Sequence, residues 1–260
     1  MKLARRKHPV RRPEQHVRCP IVTARLPLFP LNSALFPGLV LPLHIFEERY
    51  RALVGDLLAL PEDAPRRFAV VAIKDGNEVA PTGPDGVDTT AGAGLGPDPA
   101  KSLFQVGCIA EAATIGERED GGFEVVATGT TRFRLLSVDA SGPYLTAEVE
   151  ELPEEPGEGA GTLAAGVARA FRTYQKRLAG AQDRTLVAVQ ELPDDPSVLS
   201  YLVAAATIFE TSAKQLLLEA PDTAARLAAE LPLLRREAAV IGKLPSLPAV
   251  DLTRQPASLN

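Results

Sequence analysis

Apolar runs broken by proline dominate the start of the patterned region. In LPLFPLNSALFPGLVLPLHIF, positions 26–46, Pro27, Pro30, Pro37 and Pro42 interrupt the apolar positions. Proline lacks an N–H and is excluded from helix interiors and from central ladder positions. The pattern therefore predicts two extended segments, 25–31 and 38–43, joined by turns at Asn32-Ser33 and Pro37-Gly38. A helix over 46–59 follows, because Phe46, Tyr50, Leu53, Val54 and Leu57 fall on one helical face. FAVVAI at 68–73 is short, apolar and β-branched, the signature of a buried strand. Residues 75–102 hold six Gly and four Pro and few core-forming side chains, so they read as a flexible insertion.

Strand patterning resumes at 103–115, 123–129, 132–138 and 144–152. Glu119-Asp120-Gly121-Gly122 gives a hairpin signal between the first two, and Ser141-Gly142-Pro143 turns the chain before the last. Leu145, Ala147 and Val149 alternate with Thr146, Glu148 and Glu150, as in a half-exposed antiparallel strand. Consecutive hairpin-linked strands imply a small barrel or curled sheet. PEEPGEGAG at 153–161 then reads as a linker, and the period changes from two to about 3.6.

Four helices are predicted beyond it. One spans 162–180. A second starts at the Asp195-Pro196 cap, with Leu199, Leu202, Val203 and Ala206 as its stripe. A third starts at Ser212, where Gln215 completes a capping box. The fourth starts at Asp222, with a seam of Leu227, Leu231, Leu234, Ala238 and Ile241 interrupted by Pro232, where a kink is expected. The reading is of the α+β class: 1–24 a basic tail, 25–152 a β-rich unit, 153–161 a linker, 162–244 a helical bundle and 245–260 an irregular tail.

Composition narrows the function classes. The chain has 260 residues and is 45% hydrophobic with a net charge of -5, enough apolar material for a real core and against wholesale disorder. No apolar run reaches membrane-spanning length, and no secretory signal is present. Two cysteines, Cys19 and Cys108, argue against a disulfide framework and for a reducing, cytoplasmic setting. Residues 1–25 carry eight Lys/Arg and one Glu, so the remainder is at -12. A body of that sign repels phosphate backbones, leaving the basic tail as the part able to touch nucleic acid.

Motifs for catalysis are missing. No P-loop or nucleophile elbow occurs, and GAGLG at 92–96 lacks the strand and helix of a dinucleotide site. His8, His16 and Cys19 could hold a stray metal but fall short of a four-ligand zinc set. His44 stands alone among apolar neighbours and reads as a packed imidazole, and Cys108 as a small core hydrophobe. Glu47, Glu48, Arg49 and Arg51 read as local helix-start ion pairs. Arg132 and Arg134 could grip an anion, but such residues more often form a solvated face or pair with acids of a neighbouring strand such as Glu148.

Three segments carry a resemblance. LPLFPLNSALFPGLVLPLHIFEERYRALV resembles the opening of the N-terminal substrate-binding domain of ATP-dependent Lon proteases, the peptidase S16 family. The likeness is closer to stand-alone bacterial proteins carrying that domain alone. VGCIAEAATIGEREDGGFEVVATGTTRFRLLSV resembles the second signature of the family, and DPSVLSYLVAAATIFETSAKQLLLEAPDTAARLAAELPLLRRE its helical half. Together they cover about 25–240. The resemblance implies a PUA-like β pseudo-barrel followed by a C-terminal helical bundle. It also implies a non-enzymatic protein without cofactor, since the ATPase and Ser/Lys protease modules of Lon lie beyond this domain. The sequence departs from the family at Glu48, usually proline there, in the 75–102 insertion and in the basic extension.

The function this implies is binding of unfolded or exposed apolar polypeptide segments, as an adaptor or competitor working with a protease or chaperone. An extended peptide would use a sheet edge and the cleft between barrel and bundle. Phe29, Leu35, Phe36, Leu41, Phe46 and Tyr50 are the candidate contact residues, although they are equally the obvious core. The alternatives are nucleic-acid binding, a small-molecule site in the cleft between the subdomains and, without a supporting motif, hydrolysis.

Overall fold

The computed structural model describes residues 22–75, 78, 82–83, 86–87, 90–181 and 191–242. His8, His16, Cys19, most of the basic tail, the 245–260 tail and parts of the insertion lie outside the described residues. The β-rich half contains β1 (Thr23–Leu31), β2 (Val40–Ile45), α1 (Glu48–Leu58), β3 (Arg67–Ala72), β4 (Thr82–Gly83), β5 (Gly86–Val87), α2 (Pro99–Ser102), β6 (Val106–Glu117), β7 (Phe123–Asp139) and β8 (Thr146–Glu151). The helical half contains α3 (Ala160–Ala181), α4 (Pro196–Ala206), α5 (Thr211–Leu218) and α6 (Thr223–Ile241). The α+β class and the barrel-then-bundle order read from the sequence are those of the structure.

The main sheet runs β2-β7-β6-β3-β1-β8, and β8 also pairs with β7. That second pairing closes β7, β6, β3, β1 and β8 into a ring and leaves β2 appended outside it. Closure depends on β7, which is one 17-residue strand rather than the two expected. Its first half pairs with β2 and its second with β8. Bulges at Cys108/Ala110 and Ala112/Thr114 of β6 help the sheet bend. The β1–β3 pair is parallel, so β2 and α1 form the crossover between them.

β3 is buried on both faces, which explains its unbroken apolar run. Phe68 and Val70 pack with Phe29, Leu53 and Val125, while Ala69 and Val71 pack with Leu28, Ile109 and Phe133. The hairpin expected at 119–122 forms: Gly121 adopts φ +76° and the Asp120 carboxylate accepts from the Gly122 N–H. α1 starts at Glu48, so Phe46 lies before the helix and is exposed instead of joining its buried face.

The insertion was expected to contribute little to a core, and residues 90–102 correct that. Ala91, Ala93 and Leu95 are buried. Arg49, 4% exposed, holds this stretch by donating to the carbonyls of Ala93 (2.7 Å), Ala91 (3.4 Å) and Glu78 (3.0 Å). Arg49 also pairs with Glu47, so the helix-start charges do more than pair locally. Small residues serve here because their carbonyls, not their side chains, meet the guanidinium.

In the bundle, Val167, Phe171 and Tyr174 of α3 pack with Leu199 and Val203 of α4 and with Leu227, Leu234 and Ala238 of α6. Asp195 and Asp222 cap α4 and α6 as expected. α6 continues through Pro232 to Ile241. The capping box at Ser212 does not form: α5 begins at Thr211, and Gln215 reaches the barrel to donate to the Val106 carbonyl at 2.9 Å. Phe36 and Val106 of the barrel meet Tyr201, Ala204, Leu217 and Leu218 of the bundle in a shared apolar cluster.

Candidate functional site

β2 presents the sheet edge that a polypeptide could extend. The Leu39 carbonyl accepts from the Gly129 N–H at 2.9 Å, so odd-numbered backbone groups of this strand face β7. Antiparallel pairing alternates, so the backbone groups of Val40, Pro42 and His44 point away from the sheet. Among the described residues, none outside β7 hydrogen-bonds to the backbone of these three. Pro42 occupies a position where its missing N–H leaves no ladder bond unmade, as edge-strand prolines do.

Side chains alternate with the same period. Leu41, Leu43 and Ile45 turn towards the barrel core, and Val40, Pro42 and His44 are exposed. Val126 of β7 lies opposite Pro42 and is also exposed. Phe46, 56% exposed, continues the row, with its ring 6.4 Å from that of His44. The outer face of the edge is thus an apolar strip. His44 is a surface residue of that strip and not the packed imidazole expected.

Beside the edge lies a groove of about 210 Å³ between the barrel and the bundle. Leu35, Phe36, Leu39, Val40 and Leu41 form its barrel wall, and Ala205 and Lys214 its bundle wall. The Lys214 ammonium donates to the Ala205 carbonyl at 3.2 Å, and burial lowers its pKa. Such a groove accepts apolar side chains while placing one positive group near a backbone carbonyl or carboxylate.

The six residues named from the sequence therefore divide. Leu35, Phe36 and Leu41 line the groove, the first two with little exposed surface. Phe46 lies on the outer strip. Phe29 and Tyr50 are core residues whose rings stack at 4.2 Å, too deep to meet a ligand in the folded state. Burial raises the Tyr50 pKa accordingly. Val40, Val126, Ala205 and Lys214 were missed. The even-numbered alternation along β2 could have pointed to Val40, but nothing local links it to a bundle residue.

A second opening, about 350 Å³, lies where Pro37, Thr130 and Thr131 of the barrel face Ser197, Val198 and Tyr201 of the bundle. Its base is an ion cluster of two buried arginines and the half-exposed Glu154. Glu154 accepts from Arg226 (3.0 Å) and Thr223 (2.6 Å), also accepts from Tyr201, and pairs with Arg132 at 3.2 Å. Arg132 donates to the carbonyls of Leu218 and Ala220, and Arg226 to that of Leu217. Two guanidiniums thus satisfy the C-terminal carbonyls of α5, which carry the negative end of its dipole. The expected alternatives for Arg132 and Arg134 part here: Arg134 pairs with Glu150 at the surface, whereas Arg132 is a buried link to the bundle. The 153–161 segment is pinned as well, since Thr223 N–H donates to the Glu155 carbonyl and Ala224 N–H to that of Pro156.

Burial raises the Glu154 pKa, but hydrogen bonds from Arg226, Thr223 and Tyr201 outweigh it and hold the carboxyl below its usual value. Glu230, one helical turn after Arg226, behaves oppositely. Burial lifts its pKa well above the ordinary carboxylate value, with Arg226 opposing, and neither oxygen has a hydrogen-bond partner among the described residues. As pH rises past the unfolded value of ~4.3, the unfolded chain releases this proton while the folded chain keeps it, so stability falls. Glu230→Gln is therefore expected to stabilise, with a gain larger at pH 8 than at pH 5. Urea midpoints at the two pH values check this, and an equal shift at both would contradict it.

Cys108 is fully buried, and burial pushes its thiol pKa up to about 12, in keeping with an inert core residue. Among the described residues no group of three His, Cys, Asp or Glu is placed to hold a metal, and no helix is long and apolar enough to cross a membrane.

The sequence model of the ATP-dependent protease La (LON) substrate-binding domain matches residues 25–236. The chain is 26% identical over 206 residues to Lon protease 2 of Syntrophobacter fumaroxidans, covering 78% of this chain and 23% of that protein. It is 28% identical over 222 residues to Lon protease 2 of Sorangium cellulosum, covering 83% and 25%. It thus spans about a quarter of the length of these curated relatives. Among solved structures, the N-terminal domain of the Mycobacterium avium complex Lon protease superposes with a TM-score of 0.55 at 20% identity, covering 83% of this chain and 98% of that one. A Lon N-terminal domain protein from Xanthomonas campestris superposes at 0.50, also at 20% identity, covering 85% and 99%. These two likenesses support the fold.

Proposed function

The chain belongs to the family of the ATP-dependent protease La (LON) substrate-binding domain, and on that premise we propose that it is a non-catalytic module binding exposed apolar segments of unfolded polypeptides. The observation that carries this reading is β2: a strand edge without a partner among the described residues, flanked by an apolar strip and an apolar groove. An extended segment paired to Val40 and His44 would place alternate side chains over Val126 and Phe46 and into the groove at Leu35 and Leu41. Backbone pairing gives affinity without a fixed sequence, as a receptor for many unfolded chains needs. The module would act as an adaptor for, or competitor of, a protease or chaperone.

His44→Pro tests the mode of binding. It deletes an outward N–H that β7 does not use, so the sheet keeps its bonds. Fluorescence anisotropy with a labelled twelve-residue peptide alternating Val or Leu with Ser or Thr is expected to show about tenfold weaker binding to the variant, roughly the ~1.4 kcal/mol of one hydrogen bond. The urea midpoint should stay close to that of the parent. Equal affinity of parent and variant, or no binding to either, would reject the edge as the site.

A further inference from the structure

We propose that the face shared by α3 and α6 is a second docking site, built for an acidic amphipathic segment of a partner protein. α3 carries Arg169, Arg172, Lys176 and Arg177 and has no Asp or Glu between Ala160 and Ala181. α6 adds Arg235 and Arg236. Glu237 pairs with Arg236 at 3.2 Å and Glu230 is buried, which leaves the four cations of α3 and Arg235 on a chain that beyond residues 1–25 is at -12.

The cations frame a shaped surface. A groove of about 300 Å³ lies between the helices, with Ala170, Leu231 and Ala238 in its floor. Arg169 and Arg177, eight residues apart on α3, stand on one side and Arg235 on the other. Gly166 opens one end, and the stretch from it to Arg177 is about 16 Å long at 1.5 Å per residue. Arg177 donates to the Ala238 carbonyl at 2.5 Å, which fixes its base across the groove. Among the described residues, Arg169, Arg177 and Arg235 have no ion pair.

An apolar floor between cationic walls selects the occupant. A nucleic-acid backbone would use the arginines but leave the floor unfilled, and it would meet the repulsion of the acidic body. A short helix or extended segment with apolar residues on one side and Glu or Asp on the other fits both features. This inference uses elements separate from β2, so it stands or falls independently of the edge-binding reading.

Anisotropy with a fluorescein-labelled Leu/Glu amphipathic peptide tests it, with a Leu/Lys peptide and a 20-nucleotide single strand as comparisons. The Leu/Glu peptide should bind, weaken several-fold between 50 and 300 mM salt, and lose at least tenfold in affinity to Arg169→Glu/Arg235→Glu. Gly166→Phe provides a variant that keeps every charge. A Cβ at Gly166 meets nothing within 4 Å, so the substitution adds bulk without a backbone clash at a residue that lines the groove. It should weaken the peptide to a similar degree while the circular-dichroism melt is retained. Unchanged affinity in the double variant, unchanged affinity in Gly166→Phe, or tighter binding of the single strand than of the Leu/Glu peptide would each overturn the proposal.

Discussion

Arg226→Met is expected to lower the unfolding free energy by about 2–3 kcal/mol, less than the loss on breaking a fully buried ion pair because the Glu154 side chain is 30% exposed. Arg226 is 0% exposed and touches three parts of the molecule. Its Nε donates to the Leu217 carbonyl, its Nη atoms to Glu154 and Ser200, and its guanidinium lies 3.9 Å from the Tyr201 ring centroid. Methionine fills similar volume but donates nothing. The Leu217 carbonyl loses that donor, and Glu154 keeps Arg132 as its cationic partner. For a domain of this size the loss corresponds to roughly 4–12 °C in melting midpoint.

The pH dependence gives an independent reading of the same cluster. Glu154 has a lowered pKa in the folded state. Its contribution is therefore present above the unfolded value of ~4.3 and disappears as pH falls through the folded value. Weakening the cluster by Arg226→Met should shrink that acid-side loss. Urea titrations of parent and variant at pH 7 and pH 3.5 measure both effects. A variant less than about 1 kcal/mol weaker at pH 7 would show that the cluster does not hold the two halves together.

Gly107→Ala is expected to prevent folding or to cost about 4 kcal/mol or more, the range reserved for severe core disruption. Gly107 pairs with Phe133 across β6 and β7, where the ring lies over it. A Cβ built there would stand 2.3 Å from the Val70 carbonyl and 2.4 Å from the Phe133 ring. The carbonyl belongs to β3, so relief requires moving a strand of the barrel. Gly116 lies on the same strand with its nearest atom 3.9 Å away, and Gly116→Ala should change stability by no more than about 0.5 kcal/mol. Soluble expression and melting of the two variants compare them directly. Similar behaviour would show that close approach at Gly107 is not what the barrel requires.

Much of the local structure was legible in the residues. Asp195 and Asp222 announced two helix starts, and Asp120-Gly121-Gly122 a hairpin. The unbroken FAVVAI run read correctly as a buried strand because both of its faces are covered. Phe46 misled, since its spacing continued the helical face of α1 while the chain was still extended. Residues 90–102 misled for a different reason. Glycine and alanine look uninformative in composition, yet here small side chains let carbonyls approach Arg49.

The candidate site was only partly readable. Leu35, Phe36 and Leu41 stand among the candidate contact residues, but an apolar residue carries no mark distinguishing a groove wall from a core. Lys214 and Ala205 enter the groove from about 170 residues away, and no periodicity connects them to β2. Gln215 shows the same limit: its spacing from Ser212 suggested a cap, and the Val106 carbonyl, 109 residues distant, took the donor instead.

Sequence alone determined most of the strands and helices, though not the single span of β7 or the start of α1, and the succession of a β-rich half and a helical half. Those properties follow from backbone dihedral preferences and from side-chain period, which act within a few residues. Tertiary structure alone decided that β8 returns to β7 and leaves β2 with an open edge, that Arg132, Glu154 and Arg226 lock barrel to bundle, and that the cations of α3 and α6 frame one groove. Each of these is a meeting of groups far apart in the chain, fixed by which buried polar atoms must find partners and which apolar faces must be covered once the elements pack.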